Sequence, residues 1–567
     1  MRFRWRTLLW LLPVGFLAVF YFYPLVSIFS VSIGRAENGI GATILEVWSS
    51  TSIRKAVGFT FWQAGLSTLL TLIVGLPGAY LFGRFEFRGK KLLRALTSVP
   101  FVMPTLVVAV AFDSLLGTRG WLNLGLMQLF NLTSPPIQLS NTLAAILLAH
   151  IFYNTTIVMR LVGDFWANLD PRLNQAARSL GAKPWQAMLR VTLPLLAPAV
   201  LAAALLVFIF DFTSFGVILI LGGPKFSTIE TEIFYQAISL FNLPAAAVLA
   251  SIQLITTLVL TALYTRLVGG LSRPLKRRSE QVNLGRLVTW RQRILAGGLI
   301  VVMTVLFITP LVSLGVRSVV QLEPDRRERT LEDGPGLTGA FYRSLWEDSG
   351  DSMFIATPGE ALVTSIGYAG GTVLISLLLG FPAAWMLAWQ SEDLLSRVLD
   401  PLLMLPIGTS AVTLGLGFIV ALNRPPLDLR TSPILIPLAH SLVAFPFVVR
   451  SLTPALRTIQ PQLRQAAAVL GANSRQVFRY IDLPLVGRAL LGSAVFAFTI
   501  SLGEFGATAL VGRPDRPTVP MMIYRFLAQP GALNYGRALA LSTILMAATA
   551  IGMLLIERVR VGEQEEF

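Results

Sequence analysis

Cysteine is absent from the 567-residue chain, and histidine occurs only as His150 and His440. The first absence excludes disulfides, thiolate nucleophiles and cysteine metal sites, and leaves the redox compartment unreadable. The second leaves two imidazoles. Each lies in a predicted helix, and two ligands without a clear third make a poor transition-metal site. A paired structural role, such as bonding a backbone carbonyl, fits them better. Charge is scarce as well. Asp, Glu, Lys and Arg make up 13% of the chain, against 54% hydrophobic residues. The mean hydropathy is +0.68. A soluble protein of this size has no interior large enough for so much apolar surface, so the bilayer must serve as part of its solvent.

Long apolar runs are what the chain does have. Several approach or exceed the ~20 residues that cross a hydrocarbon core of ~30 Å. They predict an all-α integral membrane protein with twelve helices, at 8–32, 58–83, 93–116, 140–162, 195–221, 244–268, 292–319, 360–388, 399–422, 432–450, 485–511 and 536–557. Arg2, Arg4 and Arg6 precede the first run and resemble the start of a secretory signal. The run is longer than a signal core and no small-x-small cleavage site follows, so it reads as a retained helix.

The formal net charge of +16 invites a nucleic-acid reading, but the charges alternate between loops instead of gathering on one surface. Arg84, Arg88, Lys90, Lys91 and Arg94 lie between helices two and three. Arg273, Lys276, Arg277, Arg278, Arg286, Arg291 and Arg293 lie between six and seven. The segment between seven and eight is acidic, with Glu323, Asp325, Glu328, Glu332, Asp333, Glu347, Asp348 and Asp351. Basic loops stay in the cytoplasm, so an even helix count places both termini there.

The two histidines are 290 residues apart, and many other pairs keep this offset. Arg160 pairs with Arg450, Pro171 with Pro461, Gln175 with Gln465, Gly181 with Gly471, Pro194 with Pro484, and Phe215 with Phe505. Upstream the register shifts, and "GLPGAY" at 75–80 faces "GFPAAW" at 380–385. The chain is a tandem duplication. Six helices per half make the repeats parallel, which predicts a pseudo-two-fold along the membrane normal and a pathway between the halves.

One polar segment is duplicated with its punctuation intact. Leu173, Ala176, Ala177 and Leu180 recur at i, i+3, i+4 and i+7, as do Leu463, Ala466, Ala467 and Leu470, giving each short helix a narrow apolar stripe. Pro171 and Pro461 suit helix starts, and Gly181 and Gly471 suit helix stops. Two matched knobs on the cytoplasmic face suit docking to a partner that is itself two-fold symmetric. An interfacial helix resting on lipid headgroups is the plainer alternative.

The pattern Gln-Ala-Ala-x3-Gly-x9-[Val/Ile]-x-Leu-Pro, at 175–194 and 465–484, resembles the Glu-Ala-Ala coupling loop of type I ABC importer membrane subunits. Gln175 and Gln465 replace the family's usual glutamate, which removes a charge and keeps hydrogen-bonding capacity. The resemblance implies that Gln175, Ala176, Ala177, Leu180 and Gly181, with Gln465, Ala466, Ala467, Leu470 and Gly471, seat two copies of a cytoplasmic ABC ATPase. ATP and Mg would be bound by that partner, with no cofactor on this chain. The nearest approach to a phosphate loop, "GRFEFRGKK" at 83–91, has one residue too many between its glycines and Lys91 where magnesium needs Ser or Thr. The resemblance assigns 58–268 and 360–557 to two transmembrane domains. They are flanked by an N-terminal helix and outer loop (1–57), a linker with the seventh helix and the acidic loop (269–359), and a cytoplasmic tail (558–567). "FTFWQAGLSTLLT" (59–71), "LLAHIFYN" (147–154) and "LGGPKFSTIETEIFYQA" (221–237) resemble the thiamine importer group and the related ferric-iron group. That likeness implies a bacterial plasma membrane location and an extracytoplasmic substrate-binding protein.

Asp211 and Glu504 fall inside predicted helices five and eleven, where a carboxylate costs about 2.5–3.5 kcal/mol on insertion scales and usually faces water or the bundle interior. Their repeat counterparts are Ser501 and Ser214. The four suggest a pathway for a cationic cargo. The alternative is that each acid is tied to a nearby hydroxyl or helix end. Buried acids also leave open an ion-gradient-driven secondary transporter with two six-helix halves, although such a protein has no use for two matched knobs.

Overall fold

The computed structural model describes residues 3–34, 48–118, 120–271, 285–321, 336–347, 356–389, 394–423, 427–565. The acidic loop at 322–335 and 348–355, and the basic stretch 272–284, lie outside the described residues, as do the charges assigned to them above. Among the described residues eleven helices are long and apolar enough to span a bilayer, and a bent pair counted as one span makes a twelfth. The strands are two-residue pairs at the ends of the bundle. Phe85–Glu86 lies parallel to Gly285–Arg286, and Val320–Gln321 antiparallel to Gly336–Leu337.

The second and fourth spans of each half form its closest helix pair. In the first half these are Thr51–Arg84 and Leu143–Ala167, in the second Pro358–Trp389 and Leu435–Arg457. Without a hydrophobic drive between helices in lipid, small residues let backbones approach. A Cβ added at Gly75 would meet Val158 at 2.7 Å, and one added at the matching Gly380 would meet Val448 at 2.6 Å. The repeat is thus preserved in the packing itself.

The opening span of each half crosses to the other half. Phe3–Gly34, interrupted by a π turn at Ala18–Phe22, packs on spans of the second half, and Tyr21 Oη meets Thr409 Oγ1 at 2.6 Å. Trp290–Arg317 packs in turn on the first half, where Ser313 Oγ lies 3.0 Å from Ser114 Oγ.

Four predicted helices are not continuous. The third span breaks at Met103–Pro104, between Lys90–Val102 and Thr105–Leu116. The ninth turns by 98° between Leu395–Gly408 and Ala411–Ala421. The fifth ends at Phe212, and residues 216–221 form a separate short helix. The eleventh ends at Gly503, and 506–511 form its counterpart. Broken backbone at membrane depth persists only where protein or a cavity receives its polar groups. At the other end, the fifth and eleventh spans begin earlier than predicted, at Pro184 and Ser474. Pro194 and Pro484 do not interrupt them. π turns at Met188–Thr192 and Phe478–Asp482 lie just before these prolines, where the Leu193 and Leu483 amides donate back to the Met188 and Phe478 carbonyls.

Candidate functional site

Two places bring the residues singled out by sequence together. The first is the pair of short helices between spans four and five and between ten and eleven, Pro171–Ser179 and Pro461–Val469. Six spans separate them, so both lie at the same end of the bundle. Asp170 caps the first, accepting the Arg172 amide at 2.9 Å. Each ends in the same way. Gly181 and Gly471 adopt φ of +89° and +86°, a left-handed conformation that favours glycine. The Ala182 amide then reaches the Ala177 carbonyl at 3.1 Å, and Ala472 reaches Ala467 at 3.0 Å. No residue of either helix is buried, and Leu180 and Leu470 stand 89% and 87% exposed. Gln175, Ala176, Gln465 and Ala466 are exposed beside them, while Ala177 and Ala467 turn partly inward.

The second place is the centre of the bundle. Phe215 and Phe505, counterparts in the repeat, stack on one another with centroids 5.3 Å apart and planes 18° from parallel. Beside them a cavity of about 340 Å³ opens between the halves, lined by Asp211, Ser214, Glu230, Ser410 and Glu504 among many apolar side chains. This is the size and mixture of a small-molecule site.

Each histidine holds one end of a buried polar network beside this cavity. His150 Nδ1 lies 2.9 Å from Ser67 Oγ and 3.3 Å from Asp211 Oδ1, and its Nε2 lies 2.9 Å from Ser214 Oγ. His440 Nδ1 meets Ser501 Oγ at 2.8 Å, and its Nε2 meets Thr508 Oγ1 at 2.9 Å and Glu504 Oε2 at 3.1 Å. The two rings therefore read equivalent positions. The carboxylate sits on the Nδ1 side in the first half and on the Nε2 side in the second. The partners are hydroxyl and carboxylate side chains on both edges of each ring, in place of the backbone carbonyl that the sequence suggested as an example of a paired role.

The four pathway candidates do not share one fate. Asp211 and Ser214 line the cavity, and so does Glu504. Ser501 does not. Its hydroxyl is taken by His440 and by Thr372 Oγ1 at 3.0 Å, behind the wall. Glu504 is not a helix-interior residue, as predicted, but the extended residue at the break (φ −71°, ψ 123°). Its carboxylate caps the next helix, accepting the Ala507 amide at 3.0 Å and the Thr508 amide at 3.3 Å. The flanking glycines of "GEFG" were the available signal. Sequence reasoning missed Glu230, which follows "LGGPKFST" outside every predicted span. It lies in the short helix Ile229–Phe234, fully buried, with Gln253 donating to Oε1.

Comparison with known proteins bears on both places. Residues 75–277 and 376–560 each match the family described as binding-protein-dependent transport system inner membrane component. The thiamine transport system permease protein of Escherichia coli (strain K12) is 29% identical over 515 residues, covering 86% of this chain and 87% of that protein. Its namesake in Haemophilus influenzae is 27% identical over 542 residues, covering 94% of each. A probable ABC transporter permease of Sinorhizobium fredii is 25% identical over 535 residues, covering 92% of this chain and 90% of that one. The two family matches take up more than half of the chain and fall one in each repeat. This multi-pass membrane protein belongs to the family of binding-protein-dependent transport system inner membrane components, with two copies of the family's domain fused in one chain.

Proposed function

We propose that the chain is the permease of an ABC importer for a small organic cation of the thiamine class. Two copies of a separate cytoplasmic ATPase, which bind ATP and Mg, seat the helices Pro171–Ser179 and Pro461–Val469. An extracytoplasmic binding protein delivers the cargo to the opposite end, and both termini lie in the cytoplasm. The observation that carries the substrate class is the cavity between the halves. It is acidic at Asp211, Glu230 and Glu504 and otherwise mostly apolar. Buried carboxylates attract positive charge strongly where water is excluded, and aromatic faces add cation–π attraction. Among the described residues no three His, Cys, Asp or Glu side chains converge as a metal site requires. An organic cation therefore fits better than ferric iron. The relatives named for thiamine transport point the same way.

The chain does no covalent chemistry on this reading. It binds, gates and transmits motion. Exposed leucines at rigid, glycine-stopped helix ends supply the contact, and the cavity supplies the way through. The test is uptake of labelled thiamine into proteoliposomes holding the permease with its co-purified ATPase and the binding protein. Uptake is expected only with ATP. Transport that persists after ATP is withdrawn, or that follows an ion gradient, would establish a secondary transporter instead.

A further inference from the structure

The central cavity presents three carboxylates, but their oxygens are not equally available. Glu504 is fully engaged. Besides the two amides, Oε2 faces His440 at 3.1 Å and receives the Thr508 hydroxyl at 3.3 Å. Asp211 spends only one oxygen. Oδ1 takes Asn154 Nδ2 at 2.7 Å and lies beside His150. Glu230 likewise spends Oε1 on Gln253, with the Ser410 hydroxyl nearby but outside hydrogen-bond geometry to Oε2. Among the described residues no donor reaches Asp211 Oδ2 or Glu230 Oε2. Both residues are almost wholly buried, at 1% and 0% exposure, and both line the same cavity.

A buried carboxylate oxygen without a protein donor is costly unless a proton, a water or a cation from the adjoining cavity satisfies it. Two such oxygens on one cavity wall amount to a place prepared for a cation. Both belong to the first half. The position equivalent to Glu230 in the repeat is Pro520, and that equivalent to Asp211 is Ser501, so the second half has no corresponding pair.

We propose that Asp211 and Glu230 form a two-carboxylate subsite that holds the positive charge of the cargo during passage, and that Glu504 shapes the cavity without touching it. This deepens the proposed function and rests on it. Cation binding is therefore one-sided in a two-fold frame. The first half grips the cargo, and the second supplies Glu504 as a helix cap and Phe505 as a wall.

Equilibrium dialysis of labelled thiamine against the purified permease–ATPase complex, without binding protein, tests this. A second probe is the uncharged analogue in which carbon replaces the positively charged ring nitrogen. The wild type is expected to prefer thiamine. Glu230→Gln and Asp211→Asn should each weaken thiamine binding by on the order of tenfold or more and leave the uncharged analogue unaffected. Glu230→Asp should keep the preference for charge although it shortens the reach to Gln253. A purely structural Glu230 would give the reverse, with Gln tolerated and Asp not. Glu504→Gln should lower the melting temperature and leave the preference intact. Preference retained in both Glu230→Gln and Asp211→Asn, or abolished by Glu504→Gln alone, overturns the subsite. Absence of thiamine binding in a complex that imports thiamine with ATP also overturns the subsite while sparing the importer. Loss of ATP-driven uptake in the wild type overturns both.

Discussion

The two short helices on the shared face have the same length and the same glycine stop, yet they are fastened to the bundle differently. In the second half Arg464 Nε donates to Asp482 Oδ1 at 2.7 Å, and the guanidinium lies over Trp389 at 3.8 Å and Trp385 at 5.0 Å. In the first half the equivalent residues are Asn174 and Thr192, joined by one neutral hydrogen bond of 3.1 Å. The positions of Trp385 and Trp389 are held there by Tyr80 and Arg84, and Tyr80 packs on Trp166 instead. A charge-assisted bond is roughly twice as strong as a neutral one, and stacking on tryptophan adds to it. The duplication has kept the shape of the short helix and let its joint diverge. On the proposed function, contact with the ATPase and transmission into the bundle are then separable properties, and only the first is symmetric.

The largest test of that difference is to cut each joint. Arg464→Ala leaves the buried Asp482 without its cation and should cost about 2 kcal/mol or more. Asn174→Ala should cost about 1 kcal/mol or less. Thermal unfolding of the purified complex reads both costs, and ATP hydrolysed per thiamine imported reads the coupling of each variant. On the proposed function, only Arg464→Ala should uncouple hydrolysis from transport. Equal uncoupling by both would erase the asymmetry.

A symmetric change sharpens the comparison. Gly181→Ala and Gly471→Ala each force a side chain into the left-handed region, at a cost of about 1–2 kcal/mol apiece. The two variants should lower the melting temperature equally, because the stops are equivalent even though the joints are not. Transplanting the stronger joint, by Asn174→Arg with Thr192→Asp, should raise stability by less than about 1 kcal/mol without the tryptophan platform. Adding Tyr80→Trp should increase the gain, as a melting series would reveal.

The smallest effect concerns the opposite end. Asp515 pairs with Arg513 at 2.7 Å, and this hydrogen bond holds its carboxyl below the usual range. Gly223 and Lys225 occupy the equivalent first-half positions and make no such pair. A depressed carboxyl stabilises the fold above its unfolded pKa, and that contribution is lost as pH falls through the folded value. Both groups are exposed, so the melting profile of Arg513→Ala should differ from wild type only slightly, at neutral pH, and converge with it in acid.

The spans, their number, the repeat and the ends of both short helices were legible because hydropathy and the offset of 290 report them directly. Gly181 and Gly471 were marked as stops and are stops. The breaks were not legible. A window long enough to detect a span averages over one or two residues such as Glu504–Phe505, and the flanking glycines of "GEFG" hint at a break without showing that the carboxylate will cap the following turn. The 98° bend at Thr409–Ser410 escaped for the same reason. Glu230 lay outside any span, and its chemistry depends on Gln253, which only the folded chain brings near. Its one trace in the sequence was the mismatch with Pro520, and a difference between repeats is harder to notice than an identity.

The exchange of opening spans restricts how such a bundle moves. Phe3–Gly34 packs on the second half and also on Leu243–Leu271 of its own, and Trp290–Arg317 packs on the first half and also on Ala532–Glu565 of its own, so each opening span bridges the two halves. Pulling the halves apart as independent bodies would strip both spans of one set of neighbours.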